Sequence, residues 1–135
     1  MIVELARDLS EIHRLAEAVE GWCDAEGVPM DAAMQLNLAL DELITNTISY
    51  GYDGAPDKPH IAVRLDREAD WLTVVLEDDA RPFDPLSRPP PDTEAALEDR
   101  EIGGLGIHFV RSFMDEVAYR RDGDRNILTL RKKIA

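Results

Sequence analysis

Three polar residues in one segment have the types and spacing that phosphate chemistry requires. Glu42 precedes Asn46 by four residues and Ser49 by seven, so on a helix all three side chains project from one face. An amide oxygen and a carboxylate one turn apart can hold a hydrated Mg²⁺ and polarise a nucleophile, and phosphoryl transfer needs both. Taken alone, such a triplet is more often a solvated helix face, and that alternative stays open here.

A second candidate is the acidic segment that follows an apolar run. Asp78 lies at the predicted end of a strand and is followed by Asp79, Ala80, Pro82 and Phe83. A carboxylate at a strand end can accept a hydrogen bond from an exocyclic amine while apolar side chains hold the ring. An acidic turn capped by proline has the same appearance, so the segment alone does not distinguish the two.

A third candidate is a glycine cluster that immediately precedes a predicted helix. Gly103, Gly104 and Gly106 surround Leu105. Glycine permits close backbone approach, and a helix N-terminus offers unpaired N–H groups to a phosphate. The cluster is not a dinucleotide fingerprint, because no strand directly precedes it and the third spacing is wrong. Glycine clusters of this kind are more often turns.

Composition and charge exclude several other classes of protein. The net charge of −13 comes without a basic stripe, which argues against nucleic-acid binding. No apolar run is long enough to span a membrane, and the N-terminus does not resemble a signal peptide. The lone Cys23 cannot form an internal disulfide, so we expect a cytoplasmic protein in which Cys23 is a core residue. His13, His60 and His108 lack the spacing of zinc ligands.

The elements that must position these residues follow from hydrophobic periodicity and from Gly and Pro punctuation. Asp8 and Glu11 have the spacing of a capping box, and Pro29 suits the first turn of a second helix. The pattern predicts strands at 2–6, 60–66, 71–77, 117–121 and 126–132, and helices at 11–26, 29–50 and 103–114. Residues 79–102 carry five prolines and no periodicity, which is typical of a lid or binding loop. The order predicts a single domain, 1–135, with an α+β two-layer sandwich: a mostly antiparallel mixed sheet with helices on one face.

In this order, the three segments resemble the N, G1 and G2 boxes of the GHKL (Bergerat-fold) ATPases. Within that family they are similar to the bacterial anti-sigma-factor serine kinases. The resemblance is carried by residues 41–52 (DELITNTISYGY), 78–85 (DDARPFDP) and 103–117 (GGLGIHFVRSFMDEV). Three boxes in the right order and spacing cover nearly the whole chain, so the combination is specific where each segment alone is not.

The resemblance implies a role for each matching residue. Glu42 would be the general base that takes the proton from a substrate hydroxyl, and Asn46 would coordinate Mg²⁺. Asp78 would accept a hydrogen bond from the adenine amino group of ATP, and the segment 85–102 would be the lid that closes over the nucleotide. The implied nucleotide-binding residues are Asn46, Asp78, Ala80, Phe83, Gly103, Gly104, Leu105 and Gly106.

Two positions depart from the pattern of the family that this chain resembles. The G1 box normally carries a glycine where this chain has Ala80, and glycine there lets the backbone come close to the adenine. We therefore expect nucleotide binding to be weakened or altered rather than lost. The N box often has a histidine where this chain has Tyr50, and no effect is assigned to that change.

The resemblance also implies partners and leaves alternatives open. The expected substrate is a serine of a STAS-type anti-anti-sigma protein, a sigma factor is a further expected partner, and relatives commonly form homodimers. One alternative is a non-catalytic module of the same fold that holds a sigma factor or another signalling partner. A second is a stand-alone histidine-kinase-like ATPase domain acting in trans. A structural protein with a vestigial nucleotide pocket is the third.

Overall fold

The computed structural model describes residues 1–52, 59–85 and 110–134. Besides a helical segment at residues 110–113, two helices and five strands lie in these ranges. They are β1 (Ile2–Leu5), α1 (Glu11–Ala25), α2 (Met30–Tyr50), β2 (Ile61–Glu68), β3 (Trp71–Asp78), β4 (Glu116–Asp122) and β5 (Arg125–Lys133). Within the described ranges, no helix is both long and apolar enough to cross a membrane.

The strands form one five-stranded sheet in the order β1-β2-β3-β5-β4. Every pairing in the described part of the chain is antiparallel, so the predicted α+β architecture is confirmed and the described sheet contains no parallel pair. Two tight hairpins explain this order. Ala69, with φ of 53°, turns β2 into β3, and Gly123, with φ of 60°, turns β4 into β5.

The core lies between the sheet and the two helices. Alternate residues of each central strand point to the helices: Val63 and Leu65 on β2 and Val74 on β3 are each at most 1% exposed. Leu36 and Leu40 of α2 are equally buried against them. Truncating a fully buried leucine of this kind to alanine costs about 2–5 kcal/mol. The core therefore holds α2 rigidly against the sheet.

Cys23 belongs to this core, as predicted, with only 1% of its surface exposed. Burial raises the pKa of its thiol. The thiol is therefore held in its neutral form and packs as a small apolar side chain.

The start of each helix differs in detail from the expected motif. The Asp8 and Glu11 side chains do not bond to each other's backbone as a capping box requires. Instead, the Ser10 N–H donates to Asp8 Oδ1 at 2.9 Å and the Ala6 N–H donates to Glu11 Oε1 at 2.9 Å. Pro29 is the N-cap of α2, with φ −56° and ψ 145°, and is not in its first turn. Both starts lie within one residue of the predicted positions.

The C-terminal half of α2 carries the first group of candidate residues to the end of the sheet where β3 stops. The helix ends at Tyr50, and the Gly51 N–H closes its last turn by donating to the Thr47 carbonyl at 2.9 Å. Of the predicted third helix, residues 110–113 are described and are helical. The rest of that helix, the glycine cluster and the lid from residue 86 lie outside the described residues.

Candidate functional site

A cavity of about 360 Å³ opens between the C-terminal half of α2 and the end of the sheet. Its volume is within the range of small-molecule sites. Apolar side chains form most of its wall, with a few polar groups among them. The lining residues are Leu43, Asn46, Thr47, Tyr50, Gly51, Leu76, Asp78, Ala80, Arg81, Phe83, Pro85, Tyr119, Asn126 and Leu128.

Four of the predicted binding residues meet in this cavity although they come from two distant segments. Asn46 lies on α2, and Asp78, Ala80 and Phe83 lie at and after the end of β3. Pro85, the first residue of the expected lid, also lines it. The fold therefore brings the N-box and G1-box segments to one place.

The remaining predicted residues lie elsewhere. Glu42 is partly buried one turn before Asn46 and is not among the lining residues, while Ser49 is exposed. Gly103, Gly104, Leu105 and Gly106 lie outside the described residues. The candidate base thus stands beside the cavity and not within its wall.

Asp78 is held in one orientation by two hydrogen bonds to the same oxygen. The Ala80 N–H donates to Asp78 Oδ1 at 3.0 Å, and the Asn126 amide donates to it at 2.8 Å. Burial raises the pKa of Asp78, and these two hydrogen bonds and the Arg121 charge only partly oppose that rise. Since both bonds use Oδ1, Oδ2 is left to accept a hydrogen bond from a ligand.

Asn126, at the start of β5, is a site residue that the sequence reasoning missed. It is 7% exposed and is the one buried polar residue in the part of the chain that the structure describes. Its amide also donates to the Arg81 carbonyl at 3.0 Å, and its Oδ1 accepts from the Tyr119 hydroxyl at 2.5 Å and the Phe83 N–H at 3.4 Å. Because both ends of its amide are engaged, Asn126 positions Asp78 and has no capacity left to bind a ligand directly.

A signal for Asn126 exists in the sequence, although a weak one. It shares the inward-facing positions of β5 with Leu128 and Leu130, where an apolar residue is expected. A polar residue at such a position must have hydrogen-bond partners to be tolerated. Apart from Tyr119, seven residues away, its partners are 43 to 48 residues away in the sequence, and only the pairing of β3 with β5 brings them together.

Asn46 presents the opposite situation. Its Oδ1 is fully buried and has no hydrogen-bond partner among the described residues. An unsatisfied buried oxygen costs about 1–3 kcal/mol, so a native protein rarely keeps one without a use. An amide oxygen is a ligand that Mg²⁺ accepts in proteins. The donor chemistry at this position therefore fits a divalent cation.

The departure at Ala80 has a structural counterpart at Gly51. Ala80 is 5% exposed, and a Cβ placed on Gly51 would lie 2.9 Å from the Ala80 Cβ and 2.6 Å from the Thr47 carbonyl oxygen. The Arg81 N–H donates to the Gly51 carbonyl at 3.1 Å, which ties the two segments together. The Ala80 methyl group is thus accommodated because residue 51 has no side chain.

Asp79, next to Asp78, has a structural role. Its Oδ1 accepts from the Tyr52 hydroxyl at 2.6 Å and the His60 N–H at 2.9 Å. Burial acts to raise the pKa of Asp79, but the hydrogen bonds from Tyr52 and His60 outweigh it and lower that pKa below its ordinary value. Arg7 also contacts this corner, donating to the Tyr52 carbonyl at 2.8 Å. These contacts fix the chain that leaves α2.

Comparison with known proteins agrees with this geometry. The family model of the histidine kinase-like ATPase domain matches residues 5–132. The serine/threonine-protein kinase BtrW of Bordetella bronchiseptica is 30% identical over 96 residues, which cover 70% of this chain and 66% of that protein. The serine-protein kinase RsbW of Listeria monocytogenes is 29% identical over 117 residues, covering 83% and 74% respectively.

A solved structure supports the fold independently of sequence. The RsbU and RsbW domains of Rv1364c from Mycobacterium tuberculosis superimpose with a TM-score of 0.70 at 12% identity, covering 99% of this chain and 32% of that chain. At so low an identity the likeness concerns the fold alone.

Proposed function

Because the chain belongs to the histidine kinase-like ATPase domain family, we propose that it is an ATP-dependent serine/threonine protein kinase of the anti-sigma-factor type. The observation that carries the proposal is the presence of two groups in one cavity: Asp78, oriented by Asn126, and Asn46, whose buried oxygen has no partner among the described residues. A purely structural cavity needs neither group.

The adenine ring would occupy the apolar part of the cavity, with its amino group donating to Asp78 Oδ2. Leu43, Leu76 and Leu128 supply apolar wall there. The carboxylate is partly buried and its pKa is raised, so a hydrogen bond from the ligand would form in a site that is partly shielded from water. The site would select adenine over a base that has a carbonyl in place of the amino group, because that carbonyl would face the Asp78 carboxylate, which is also an acceptor.

The phosphates would lie toward α2. Asn46 would hold Mg²⁺, which when bound neutralises phosphate charge and orients the γ-phosphoryl group. Glu42 stands one turn away on the same helix, partly buried and outside the cavity wall. The γ-phosphate would therefore lie at the edge of the cavity nearest Glu42, where the serine of a protein substrate would meet both groups.

Transfer would then proceed with Glu42 as base. The Glu42 carboxylate takes the proton from a serine hydroxyl, the hydroxyl oxygen forms a bond to the γ-phosphorus, and ADP leaves with the electrons of the broken bond. The acceptor we propose is a serine of a STAS-type anti-anti-sigma protein. The named relatives BtrW and RsbW are serine or serine/threonine kinases, which favours a hydroxyl acceptor over a histidine.

The test is nucleotide-dependent thermal stability. Mg²⁺-ADP should stabilise the wild type by about 2.7 kcal/mol at a hundredfold excess over the dissociation constant, and less when EDTA removes the metal. Asn46→Ala should lose the metal-dependent part of that stabilisation. Asn37→Ala, at another partly buried position on α2 outside the cavity wall, is the matched control and should keep it.

Two results would contradict the proposal. No rise in melting temperature at millimolar nucleotide would mean that the cavity is not a nucleotide site. A rise that Asn46→Ala and Asn37→Ala both retain in full would mean that Asn46 does not serve the metal.

A further inference from the structure

One row of α2 carries three large apolar side chains into solvent. Met30, Met34 and Leu38 are 82%, 66% and 44% exposed. They are four residues apart, so they form one continuous ridge on the helix surface. Exposed methionines adapt to the shape of a partner, and apolar side chains grouped in this way mark interaction sites more often than scattered ones do.

The same row leads to the candidate site. Continuing by four residues gives Glu42 and then Asn46, so one ridge connects exposed methionines to the candidate base and the candidate metal ligand. We call the row Met30, Met34, Leu38, Glu42 and Asn46 the α2 ridge. At 1.5 Å per residue it is about 24 Å long. Exposure falls from 82% at Met30 to 44% at Leu38, and Glu42 and Asn46 are partly buried.

The charges beside the ridge have one sign. The helix contains Asp31, Asp41 and Glu42 and no Lys, Arg or His, and Asp31 and Asp41 are exposed. If a second copy packed on the ridge about a twofold axis, these carboxylates would face one another, in a chain whose net charge is −13. Like charges at an interface oppose association. The surface instead complements an apolar patch bordered by Lys and Arg.

We propose that the exposed part of the α2 ridge, formed by Met30, Met34 and Leu38, is the docking surface for the phosphoacceptor protein, which contacts it through apolar side chains bordered by basic ones. The inference rests on the proposed kinase function and extends it by identifying the surface where the partner binds. A protein seated on Met30, Met34 and Leu38 has its near edge beside Glu42. Docking there therefore brings an acceptor hydroxyl to the base without any contact inside the nucleotide cavity.

The experiment measures partner affinity for ridge variants in the full chain. The probes are the purified STAS-domain proteins of the organism that encodes this chain, titrated against it in Mg²⁺-ADP. Met34→Lys removes apolar contact and adds a charge that repels a basic border, so the dissociation constant should rise at least about tenfold. Met34→Glu removes the same contact but attracts the border, so its effect should be smaller. Leu9→Lys, at a 52% exposed leucine outside the ridge, is the control and should bind as the wild type does.

Two further readouts separate docking from folding and from chemistry. The ADP-induced rise in melting temperature should be the same in wild type and ridge variants, because no substituted residue lines the cavity. In phosphotransfer assays the KM for the partner should rise with kcat unchanged. Glu42→Gln should show the reverse pattern, with the complex retained and transfer lost.

The proposal fails under any of four results. Equal affinity of Met34→Lys and Leu9→Lys would place the partner elsewhere. A larger loss for Met34→Glu than for Met34→Lys would mean that the border of the partner is acidic. If no STAS-domain protein binds the wild type, the docking proposal falls with the partner class, while a nucleotide-dependent melting shift would leave ATP binding intact. A ridge variant that breaks a homodimer in sedimentation, with partner affinity unchanged, would assign the ridge to a second copy.

Discussion

The two ends of the cavity are built on opposite principles. At the β3 end, Asp78 Oδ1 accepts two hydrogen bonds, and Asn126, which supplies one of them, is itself bonded at both ends of its amide. At the α2 end, Asn46 Oδ1 is buried without a partner among the described residues. The β3 end is hydrogen-bonded without any ligand, and we propose that a bound cation completes the α2 end.

Under the proposed function, this difference would separate recognition of the base from binding of the metal. A preorganised acceptor loses little conformational freedom on binding, so it favours selective and reversible recognition of the base. An unsatisfied oxygen lowers the stability of the free protein and returns that free energy when a cation binds. Substitutions at the β3 end should therefore change nucleotide affinity with or without metal, whereas substitution of Asn46 should change the metal-dependent part of that affinity and the transfer that depends on it.

The largest expected effect is at Glu42. Glu42→Gln keeps the size of the side chain and removes its ability to take a proton, so the transfer rate should fall about 10²- to 10⁴-fold. ADP affinity should be unchanged, because Glu42 is not among the lining residues. Rates are measured with radiolabelled ATP and the acceptor protein. Asp41→Asn, at the adjacent exposed carboxylate, is the control, and equal rates for the two variants would show that Glu42 is not the base.

The next largest effect is expected at Asp78, whose substitution is compared with the same substitution at its neighbour Asp79. Asp78→Asn presents a donor where adenine needs an acceptor, so ADP affinity by calorimetry should fall roughly 10- to 100-fold. The stability of the free protein should not fall. The folded-state pKa of Asp78 is raised, so its ionised form is disfavoured at neutral pH, and substitution removes that penalty. The advantage of the variant should vanish as the pH falls below the ordinary pKa of 3.8, because the wild-type carboxyl is then protonated in both the folded and the unfolded protein.

Asp79→Asn should behave in the opposite way. The folded-state pKa of Asp79 is lowered, so its contribution to stability is present above the ordinary pKa of 3.8 and is lost as the pH falls through the lower folded value. The variant should therefore be less stable than wild type at neutral pH in urea unfolding, and the deficit should shrink in acid. If Asp78→Asn is the more damaging of the two to stability, the assignment of roles at this end is wrong.

The smallest effect tests the pairing of Gly51 with Ala80. Gly51→Ala should lower the free energy of unfolding by about 1–3 kcal/mol, because the new Cβ meets packed atoms. Gly21→Ala, where nothing lies within 4 Å, should be neutral or stabilising by up to about 1 kcal/mol. Adding Ala80→Gly to Gly51→Ala should recover part of the loss and not all of it, since the 2.6 Å contact with Thr47 remains. Equal stability of the two glycine variants would refute the pairing.

Much of the fold could be predicted because local patterns dictate it. The alternation of apolar and polar residues predicted the bounds of β2 and β3 to within two residues, and Gly51 predicted the end of α2. The paired roles of Asn46 and Asp78 follow from the boxes that they occupy, and they remain predictions although both residues line one cavity. Other features could not be predicted. The side chains of Asp8 and Glu11 accept hydrogen bonds from backbone groups other than those of a capping box, because capping geometry depends on how the chain enters the helix.

By itself, the sequence determined the order of elements, the apolar faces and the candidate chemistry, because periodicity and residue type act over a few residues. Only the tertiary structure decided that Asn126 orients Asp78 across 48 residues and that Gly51 makes room for Ala80. The same holds for the burial of Asn46 Oδ1 without a partner in the described part of the chain. Each of these depends on strand register and on the distance between packed atoms, and neither quantity is written in any local stretch of the chain.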